Sequence, residues 1–395
     1  MLRGQRRRYL STASLAVYLG AGSQTGNVSV YAPACPRWFR QNESWERMSA
    51  GLLAFLIASS ASLVLTVPVR ALAIRVGMVD LPGPRKVHIT PIPLLGGLAM
   101  YAGVMLAILI AFDGPARAQS IGIVTGATLV AVVGFLDDRG WLHHQLKLFV
   151  AMPLAAVILL ASGIHTQIFS SLLGGATGYW LDAALTILWV VGITASFSIL
   201  DHMDGLCAGV AAMASVFFAL LAYLSGQTLV TTLAAAVLGA SAGFLRWNFK
   251  PAKIFMGDGG AMFLGFLMAT LALKLRIDHA TPTANLLAPI LILSATIFDT
   301  TLVTISRARR GLLPFATPGK DHSAHRLANL GFGQRGAVLT MYLAGAICGG
   351  TAILITYLSA SGAGIVAATV LLCMAGAVVW LEKAPYERQS RKVSL

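Results

Sequence analysis

Long apolar stretches separated by short polar segments follow one another along the chain from about residue 50 onward. A helix that crosses a bilayer needs about 17 to 25 mostly apolar residues. Eleven stretches approach or meet this length, near residues 50–72, 94–112, 119–136, 147–163, 180–199, 206–224, 228–246, 261–277, 285–305, 336–358 and 362–380. The pattern predicts an all-α polytopic membrane protein with about eleven transmembrane helices.

Composition agrees with this prediction. Hydrophobic residues make up 57% of the chain and charged residues 11%, whereas soluble domains are about one quarter charged. The formal net charge of +14 is spread over loops rather than gathered in a compact basic domain, so no nucleic-acid partner is expected. Basic loops of this kind favour anionic membrane lipid instead.

The distribution of Lys and Arg predicts how the helices are oriented. With the amino terminus outside, almost all basic loop residues after residue 48 fall on the cytoplasmic side, as the positive-inside rule requires. The opposite side then holds only Arg117, Lys274 and Arg276. We therefore predict a multi-pass protein of the inner (cytoplasmic) cell membrane with a cytoplasmic carboxyl terminus.

Three segments differ in character. Residues 1–47 are basic, carry only a short and interrupted apolar patch, and are interpreted as a disordered extension without a function. Met48 is an alternative start, because the basic extension would otherwise lie outside, against the positive-inside rule. Residues 48–382 show no internal repeat or linker and are predicted to form one membrane domain, followed by a basic cytoplasmic tail, 383–395.

Acidic residues are few, and their positions are informative. No glutamate occurs between Glu46 and Glu382, and most aspartates fall in the loops predicted to face the cytoplasm. These loops contain Asp137, Asp138, Asp201, Asp204, Asp258 and Asp321, together with Lys86, His88, His322, His325 and Arg326. Carboxylates mixed with cationic side chains suit Mg2+ and a phosphate-rich ligand such as a pyrophosphate.

Individual motifs differ in strength. Asp201 and Asp204 are three residues apart, so on a helix end they would share a face. The sequence Gly257-Asp258-Gly259 opens an apolar stretch, where the free N–H groups of a helix start favour an anion. Alone, this sequence is equally consistent with a turn. His322 and His325 lie in a long loop, and loops longer than about 15 residues tend to be functional or disordered. Together these motifs indicate a site at one membrane surface.

Six ordered segments carry a family resemblance. They are Asp80-Leu-Pro-Gly-Pro-Arg-Lys86-Val-His88, Gly134-Phe-Leu-Asp137-Asp138, Asp201-His-Met-Asp204-Gly-Leu, Phe255-Met-Gly-Asp258, Phe298-Asp299-Thr300 and the segment from Pro318 to Arg335. With these six segments in this order, the chain resembles the polyprenyl-phosphate N-acetylhexosamine-1-phosphate transferases, or glycosyltransferase family 4. That family includes the undecaprenyl-phosphate GlcNAc-1-phosphate transferases and the phospho-MurNAc-pentapeptide translocases.

The resemblance implies a reaction and a set of site residues. A lipid phosphate attacks the β-phosphorus of a UDP-amino sugar, giving polyprenyl-diphospho-sugar and UMP with the help of Mg2+ or, alternatively, Mn2+. The metal ligands would be Asp258 and Asp137. The catalytic residues would be Asp137, Asp138, Asp201, Asp204, His322, His325 and Arg326, and the substrate-binding residues Lys86, His88, Asn248 and Phe255. Whether Asp137 acts as a base, a covalent nucleophile or an electrostatic element stays open.

The resemblance also suggests partners. Polyprenyl phosphate is the implied acceptor, and UDP-GlcNAc is the favoured donor because Asp321-His-Ser-Ala-His-Arg326 looks more like the GlcNAc-type members than the muramyl ones. The product would start a lipid-linked glycan of the cell envelope, with the lipid chain length and the pathway left open. Family members often pair, so a homodimer is one open oligomeric state.

Four positions depart from the family pattern. Two Asn residues usual before the first Asp of Asp201-His-Met-Asp204 are replaced by Ala195 and Ser198. A usual Ser is Ala261, and the middle His of the histidine motif is Ala324. A Ser hydroxyl can replace some hydrogen bonding of an Asn amide, whereas Ala cannot. A divergent or inactive family member is therefore an alternative interpretation.

Three other classes of membrane protein agree less well with the sequence. A transporter could use Asp299 inside the ninth apolar stretch, but paired broken helices in two halves of the chain are not evident. An intramembrane aspartyl protease could use Asp258 and Asp299, but Phe255 stands where that family has Gly. The Asp-Gly-x-x-Ala-Arg pattern of CDP-alcohol phosphotransferases is absent. Asp299 is therefore interpreted as a structural or site-supporting residue.

Overall fold

The structure is a computed structural model in which residues 37–82, 90–111, 117–142, 144–313 and 319–386 are described. Contacts divide the chain into two units, Met1–Asn42 and Glu43–Leu395, and nearly all described residues belong to the second. Helices make up 80% of the structure, as the sequence predicts. Lys86 and His88, both predicted to bind substrate, lie outside the described residues.

Fifteen helices and two short strands follow one another along the described residues. They are α1 (Arg37–Arg75), β1 (Val79–Asp80), β2 (Ile92–Pro93), α2 (Gly96–Ala111), α3 (Arg117–Asp138), α4 (His144–Leu146), α5 (Met152–Ala161), α6 (Ile168–Leu173), α7 (Gly175–Leu200), α8 (Leu206–Leu224), α9 (Thr228–Asn248), α10 (Gly257–Lys274), α11 (Pro282–Ile292), α12 (Ser294–Arg309), α13 (Ser323–Leu327), α14 (Gly333–Ile355) and α15 (Ala360–Glu382). Two π-helical turns, Lys147–Ala151 and Ala328–Phe332, join α4 to α5 and α13 to α14.

Among the described residues, seven helices are long and apolar enough to cross a membrane, or eight spans if α11 and α12 count as one. The predicted single span at 285–305 is in fact these two helices, bent by 68°. Pro289, which lacks an N–H group to continue the helix, lies one turn before the break. Two other predicted spans are shorter apolar helices, Gly96–Ile110 and Lys147–Ala161. The count of eleven stays a prediction.

Helix α1 begins at Arg37, so it includes residues 37–47 of the predicted amino-terminal extension. The apolar run after Met48 therefore continues a helix that has already started. The rest of the predicted extension lies outside the described residues. The assignment of residues 1–47 as an extension without a function stays a prediction.

Helix α10 forms the centre of the described bundle. Every residue from Gly259 to Leu273 is buried, and the helix packs mainly against α3 and α7, with α2 and α8 on its other sides. A helix that is apolar all round suits this central position. Because its first turn carries Asp258, the central packing also brings a carboxylate to the end of the bundle.

Glycines allow this first turn to approach two neighbouring helices closely. A Cβ atom added to Gly97 of α2 would lie 2.3 Å from the Cα atom of Gly260, and one added to Gly134 of α3 would lie 2.5 Å from the Cα atom of Gly259. Any larger side chain would push these helices apart. The glycines around Asp258 therefore serve close helix packing, which draws the start of α10 against the end of α3.

A small β-ribbon lies beside the start of α10. Strands β1 and β2 pair antiparallel, with Val79 opposite Pro93. The backbone N–H group of Phe255 donates to the carbonyl oxygen of Pro93 at 2.8 Å, and Leu94 forms a parallel bridge with Phe255. These contacts hold the segment that leads into α10 in a fixed position.

At the opposite end of α7, a buried carboxylate holds the start of α6. Asp182 is fully buried, and it accepts hydrogen bonds from the backbone N–H groups of Ile168, Phe169 and Ser170 at 2.8 to 3.1 Å. The hydroxyl groups of Ser170 and Thr166 also donate to it. A carboxylate at a helix start satisfies N–H groups that have no partner within the helix.

We expect Asp182→Ala to lower the free energy of unfolding by about 3 kcal/mol or more, because the buried N–H groups would lose a charged acceptor. Asp182→Asn keeps one acceptor oxygen and should cost less. Thermal unfolding of the detergent-purified protein measures the effect. An unchanged unfolding temperature for the Ala variant would contradict the role assigned to this carboxylate.

Candidate active site

Carboxylates from three parts of the chain meet at one end of the bundle. Helix α3 ends with Asp137 and Asp138, α10 begins beside Asp258, and the loop after α7 carries Asp201. The Lys147 ammonium group lies between two of them, with its Nζ atom 2.6 Å from Oδ2 of Asp137 and 2.5 Å from Oδ2 of Asp258. We call Asp137, Asp138, Asp201 and Asp258 the aspartate cluster. Two carboxylates thus converge on one cation.

Asp138 caps the central helix. One of its carboxylate oxygens accepts from the N–H group of Asp258 at 2.7 Å, and the other accepts from that of Gly259 at 3.1 Å. The sequence predicted that an anion would bind at this helix start, and the anion found there is a side chain of the protein itself. A negative charge at this position also suits the helix dipole.

A family departure is partly compensated in this cluster. The Ser198 hydroxyl donates to Oδ1 of Asp258 at 2.7 Å, so the Ser that replaces an Asn still orients a carboxylate. Ala195, Ala261 and Ala324 are buried and have no polar side chain to contribute. Ala195 therefore makes none of the side-chain hydrogen bonds that an Asn could make, whereas Ser198 still makes one.

Asp201 differs from its neighbours because no hydrogen-bond donor of the described residues reaches its carboxyl group. Burial and the negative charges of Asp258, Asp138 and Asp204 together raise the pKa of Asp201 to about 8. Asp204, the second acid of the motif, accepts from the N–H group of Ala252 at 3.1 Å. The two acids of one motif therefore have different surroundings.

Asn248 and Phe255 are placed near this end of the bundle. The Asn248 amide accepts from the N–H group of Gly205 and donates to the carbonyl oxygen of Ile254, both at 3.0 Å. Its side chain is buried and connects two loops in this structure. The Phe255 side chain is half-buried. Substrate contact by either residue stays a prediction.

The histidines belong to a second cluster held by Asp299. We call residues 321–327 the histidine segment. Asp299 in α12 is fully buried. Its carboxylate is 2.9 Å from Nδ1 of His322 and accepts from the N–H and hydroxyl groups of Ser323 at 2.8 and 2.5 Å. Asp299 therefore fixes the start of α13, and whether its role is only structural or also supports the site stays a prediction.

Arg307 of α12 and Arg310, which directly follows that helix, fix the beginning of the histidine segment. Arg307 donates to both carboxylate oxygens of Asp321 at 2.8 and 3.0 Å, and Arg310 donates to one of them. Burial alone would raise the pKa of the Asp321 carboxyl group, but these hydrogen bonds and charges lower it to about 2. This anchor therefore stays ionised over the physiological pH range.

A third imidazole joins the two predicted histidines. The ring of His202 stacks on that of His322 with centroids 3.9 Å apart and on that of His325 with centroids 4.7 Å apart. Burial, followed by the charge of His322, lowers the pKa of His202 well below its ordinary value. The loop with Asp201 and Asp204 and the histidine segment are thus in direct contact.

Two sets of side chains could be considered for a metal ion. Ligand atoms of His202, Asp299 and His322 lie within 4.8 Å of one another. However, Arg307 lies 3.4 Å from Nε2 of His322, and a cation there would face this positive charge. A hard ion such as Mg2+ prefers carboxylate oxygens, and the aspartate cluster offers several of them, with Lys147 as the cation that Mg2+ would have to displace. The aspartate cluster therefore fits Mg2+ better.

Arg326 occupies an unexpected position for a residue predicted to contact phosphate. Its side chain is fully buried. Its Nη2 group donates to Oγ of Ser306 at 2.7 Å, and its Nη1 group donates to Oε2 of Glu382 at 2.8 Å. These contacts are those of a structural residue, and its contact with substrate stays a prediction.

Sequence reasoning did not assign a site role to Lys147, His202, Arg307 or Glu382. Lys147 had a usable signal, because it stands at the start of an apolar stretch shortly after the segment with the Asp137-Asp138 pair. The other three are recognised only through contacts between distant parts of the chain.

The chain is similar in sequence to proteins of a known family. The model of the family described as "Glycosyl transferase family 4" matches residues 120–276. A probable undecaprenyl-phosphate N-acetylglucosaminyl 1-phosphate transferase of Bacillus subtilis (strain 168) is 36% identical over 304 residues, 76% of this chain and 84% of that protein. A decaprenyl-phosphate N-acetylglucosaminephosphotransferase of Mycobacterium tuberculosis (strain ATCC 25618 / H37Rv) is 34% identical over 322 residues, 74% of this chain and 78% of that protein.

A third relative is more distant. The undecaprenyl-phosphate alpha-N-acetylglucosaminyl 1-phosphate transferase of Yersinia pestis is 28% identical over 310 residues, which cover 76% of this chain and 82% of that protein. The family match at residues 120–276 includes the whole aspartate cluster and Lys147. With more than a third of positions identical to the Bacillus protein over most of both lengths, the chain belongs to glycosyltransferase family 4, the polyprenyl-phosphate N-acetylhexosamine-1-phosphate transferases.

Proposed function

We propose that this protein transfers GlcNAc-1-phosphate from UDP-GlcNAc to a polyprenyl phosphate and releases UMP, as the first step of a lipid-linked cell-envelope glycan. The observation that carries the proposal is the convergence of Asp137 and Asp258 on one cation. Three relatives whose names describe this type of transfer align over 74 to 76% of the chain. Both substrates are anionic, so a site with positive charge beside carboxylates that can bind a metal ion suits the reaction between them.

Mg2+ is the proposed cofactor, with Mn2+ as an alternative. Asp258 and Asp137 would hold it, because their oxygens already meet at one positive charge and Ser198 orients Asp258. Bound Mg2+ would neutralise the diphosphate and stabilise the departing UMP. Asp138 would act mainly by fixing the start of α10, since both of its oxygens accept backbone hydrogen bonds.

Substrate placement is proposed from the two clusters. Lys147, at the centre of the aspartate cluster, can provide positive charge for a phosphate. The stacked histidines lie next to Asp201 and would line the donor site beside it. Lys86, His88, Asn248 and Phe255 are the proposed nucleotide-binding residues by family resemblance. Base, covalent nucleophile and electrostatic element all stay possible roles for Asp137.

Orientation and assembly complete the proposal. We place the protein in the cytoplasmic membrane with the aspartate cluster facing the cytoplasm, because the loops at this end carry most of the Lys and Arg residues. A UDP-sugar donor would then reach the site from the cytoplasm. A homodimer is proposed only because members of the family often form pairs.

The donor is tested with the purified protein, undecaprenyl phosphate, Mg2+ and a panel of UDP-sugars, following UMP release. We expect UDP-GlcNAc to give the highest kcat/KM. A clear preference for UDP-MurNAc-pentapeptide would contradict the donor assignment but keep the family reaction. No UMP release with any member of the panel would contradict the proposed function.

The raised pKa of Asp201 gives a pH prediction. In the metal-free protein this group is protonated below about pH 8, and a nearby divalent cation favours its ionised form. Metal binding therefore competes with a proton, so the Mg2+ concentration for half-maximal velocity should fall as pH rises from about 6.5 to about 8.5. Asp201→Asn should flatten this dependence. An equally steep dependence in the variant would refute the assignment.

A further inference from the structure

The carboxyl end of the last helix reaches the histidine segment through a buried ion pair. Arg326 of the histidine segment is fully buried, and its Nη1 group donates to Oε2 of Glu382 at 2.8 Å. The same nitrogen donates to the carbonyl oxygen of Leu381 at 2.9 Å. Glu382 is the last residue of α15. Two elements more than fifty residues apart in the chain are therefore joined by a charged pair.

The guanidinium group of Arg326 is fully engaged by protein groups. Its Nε donates to the carbonyl oxygen of Asp321 at 2.8 Å, and its Nη2 donates to the hydroxyl group of Ser306 in α12 at 2.7 Å. The ring of Tyr386 covers its flat face, with Cζ 3.9 Å from the ring centroid. A planar group with this many fixed partners holds their relative positions closely.

Glu382 completes the connection on the side of α12. Its Oε1 accepts from the hydroxyl groups of Ser306 and Tyr386 at 3.3 and 3.4 Å. Arg309, whose side chain is 68% exposed, lies 4.0 Å from the same oxygen. Between Glu46 and Glu387 no other glutamate occurs in the chain. A glutamate is therefore rare in this part of the chain, and the carboxylate of Glu382 has hydrogen-bond partners on both of its oxygens.

We propose that Glu382 is a positioning residue for the reaction: acting through Arg326, it sets where the histidine segment stands relative to the aspartate cluster. The inference rests on the proposed function. Arg326 immediately follows His325, and its Nε holds the carbonyl group of Asp321 beside His322. A displacement of this segment would move both histidines together, and errors of about 1 Å in an active site can cost about 100-fold in rate.

A merely structural ion pair would give different results. Loss of a structural pair lowers the unfolding temperature and the amount of inserted protein, but the remaining folded molecules turn over normally. Loss of a positioning residue changes kcat in molecules that are folded. The two roles are therefore separated by measuring kcat per folded protein together with the local order of the histidine segment.

The test compares Glu382→Gln with Arg309→Gln in the full chain, reconstituted in lipid nanodiscs. Each change removes one charge of the Arg309–Glu382 contact, but only the first removes the negative charge that pairs with Arg326. For Glu382→Gln we expect kcat for GlcNAc-1-phosphate transfer to fall at least about 10-fold, with the KM for undecaprenyl phosphate within about twofold of wild type. Amide hydrogen exchange in residues 321–327 should become faster. Arg309→Gln should resemble wild type in all three measurements.

A double-variant cycle shows whether Glu382 acts through Arg326. If it does, Arg326→Met with Glu382→Met should be no slower in turnover than Arg326→Met alone. Multiplicative losses of kcat would overturn the proposal. So would wild-type kcat in Glu382→Gln with only a lower unfolding temperature. Should Glu382→Gln fail to insert, Glu382→Asp keeps the charge but shortens the side chain, and it should show a lower kcat and faster exchange in residues 321–327 than wild type. Wild-type values of both would then overturn the proposal.

Failure of the proposed function would be recognised separately. If the wild-type protein released no UMP from any UDP-sugar, the function would be wrong, while hydrogen exchange would still report on the connection. Faster exchange in residues 321–327 for Glu382→Gln, and not for Arg309→Gln, would then retain the structural part of the inference. Unchanged exchange would remove it.

Discussion

Replacing Asp258 by Asn should remove nearly all turnover while the protein stays folded and inserted. Asn has almost the same size, so packing around the start of α10 is kept, and Ser198 still finds an acceptor oxygen. The negative charge opposite Lys147 is lost, however, and with it the proposed main ligand of Mg2+. We expect Mg2+-dependent UMP release to fall at least about 100-fold, which corresponds to about 2.7 kcal/mol of barrier.

Asp278→Asn is the matched control, since Asp278 is exposed after the opposite end of α10. It should leave turnover near the wild-type value. The amount of each variant in the membrane and its unfolding temperature show whether a loss of turnover comes from the reaction or from misfolding. If Asp258→Asn kept more than about a tenth of the rate, a loss below about 1.4 kcal/mol, Asp258 could not be the principal metal ligand.

Lys147→Met should have two opposite effects. Removing the ammonium group leaves Asp137 and Asp258 without their cation, so Mg2+ no longer competes with it and should reach half-maximal velocity at a lower concentration. Turnover should nevertheless fall at least about 100-fold, or about 2.7 kcal/mol of barrier, because the site loses the cation proposed to place a phosphate. Velocity measured against Mg2+ concentration gives both values.

Lys383→Met, which changes an exposed lysine at the end of α15, serves as its control and should change neither value. An increased Mg2+ requirement in Lys147→Met would show that the lysine does not compete with the metal. Wild-type turnover in that variant would remove Lys147 from the site.

Much of the aspartate cluster could be predicted from the sequence. Asp137 and Asp138 end an apolar stretch, and Asp258 begins another, so all three had to lie at membrane surfaces. The positive charge of the loops placed those surfaces on one side. The structure brings the three carboxylates to the same end of the bundle, as expected. The sequence did not show that Lys147 lies between two of them, because this requires knowing how α10 packs against α3.

Other features depend on contacts that no local pattern encodes. The glycines next to Asp258 suggested a turn or an anion site, but Gly259 and Gly260 instead meet Gly134 and Gly97 of neighbouring helices. The anion expected at that helix start is Asp138. The bend between α11 and α12 was missed because the apolar stretch continues through it, and hydrophobicity alone does not report a break. Pro289 is the local sequence signal for this break.

The histidine segment shows the same limit. His322, His325 and Arg326 stand close together in sequence, so a shared role in binding substrate was a natural prediction. In the fold, Arg326 points into protein, and partners from α12 and α15 surround it. Burial of a charged side chain is decided by distant residues such as Glu382, which the sequence alone cannot connect with it.

Transfer of a sugar phosphate, rather than of the sugar alone, distinguishes the proposed reaction from other glycosyl transfers. The direct measurement uses UDP-GlcNAc labelled with 32P at the β-phosphorus, with undecaprenyl phosphate as acceptor, in the presence of Mg2+ or of EDTA. We predict that the label enters the lipid fraction only with Mg2+, in step with unlabelled UMP, and that Asp258→Asn abolishes both. Label that stays in the nucleotide as UDP while GlcNAc enters the lipid would contradict the account.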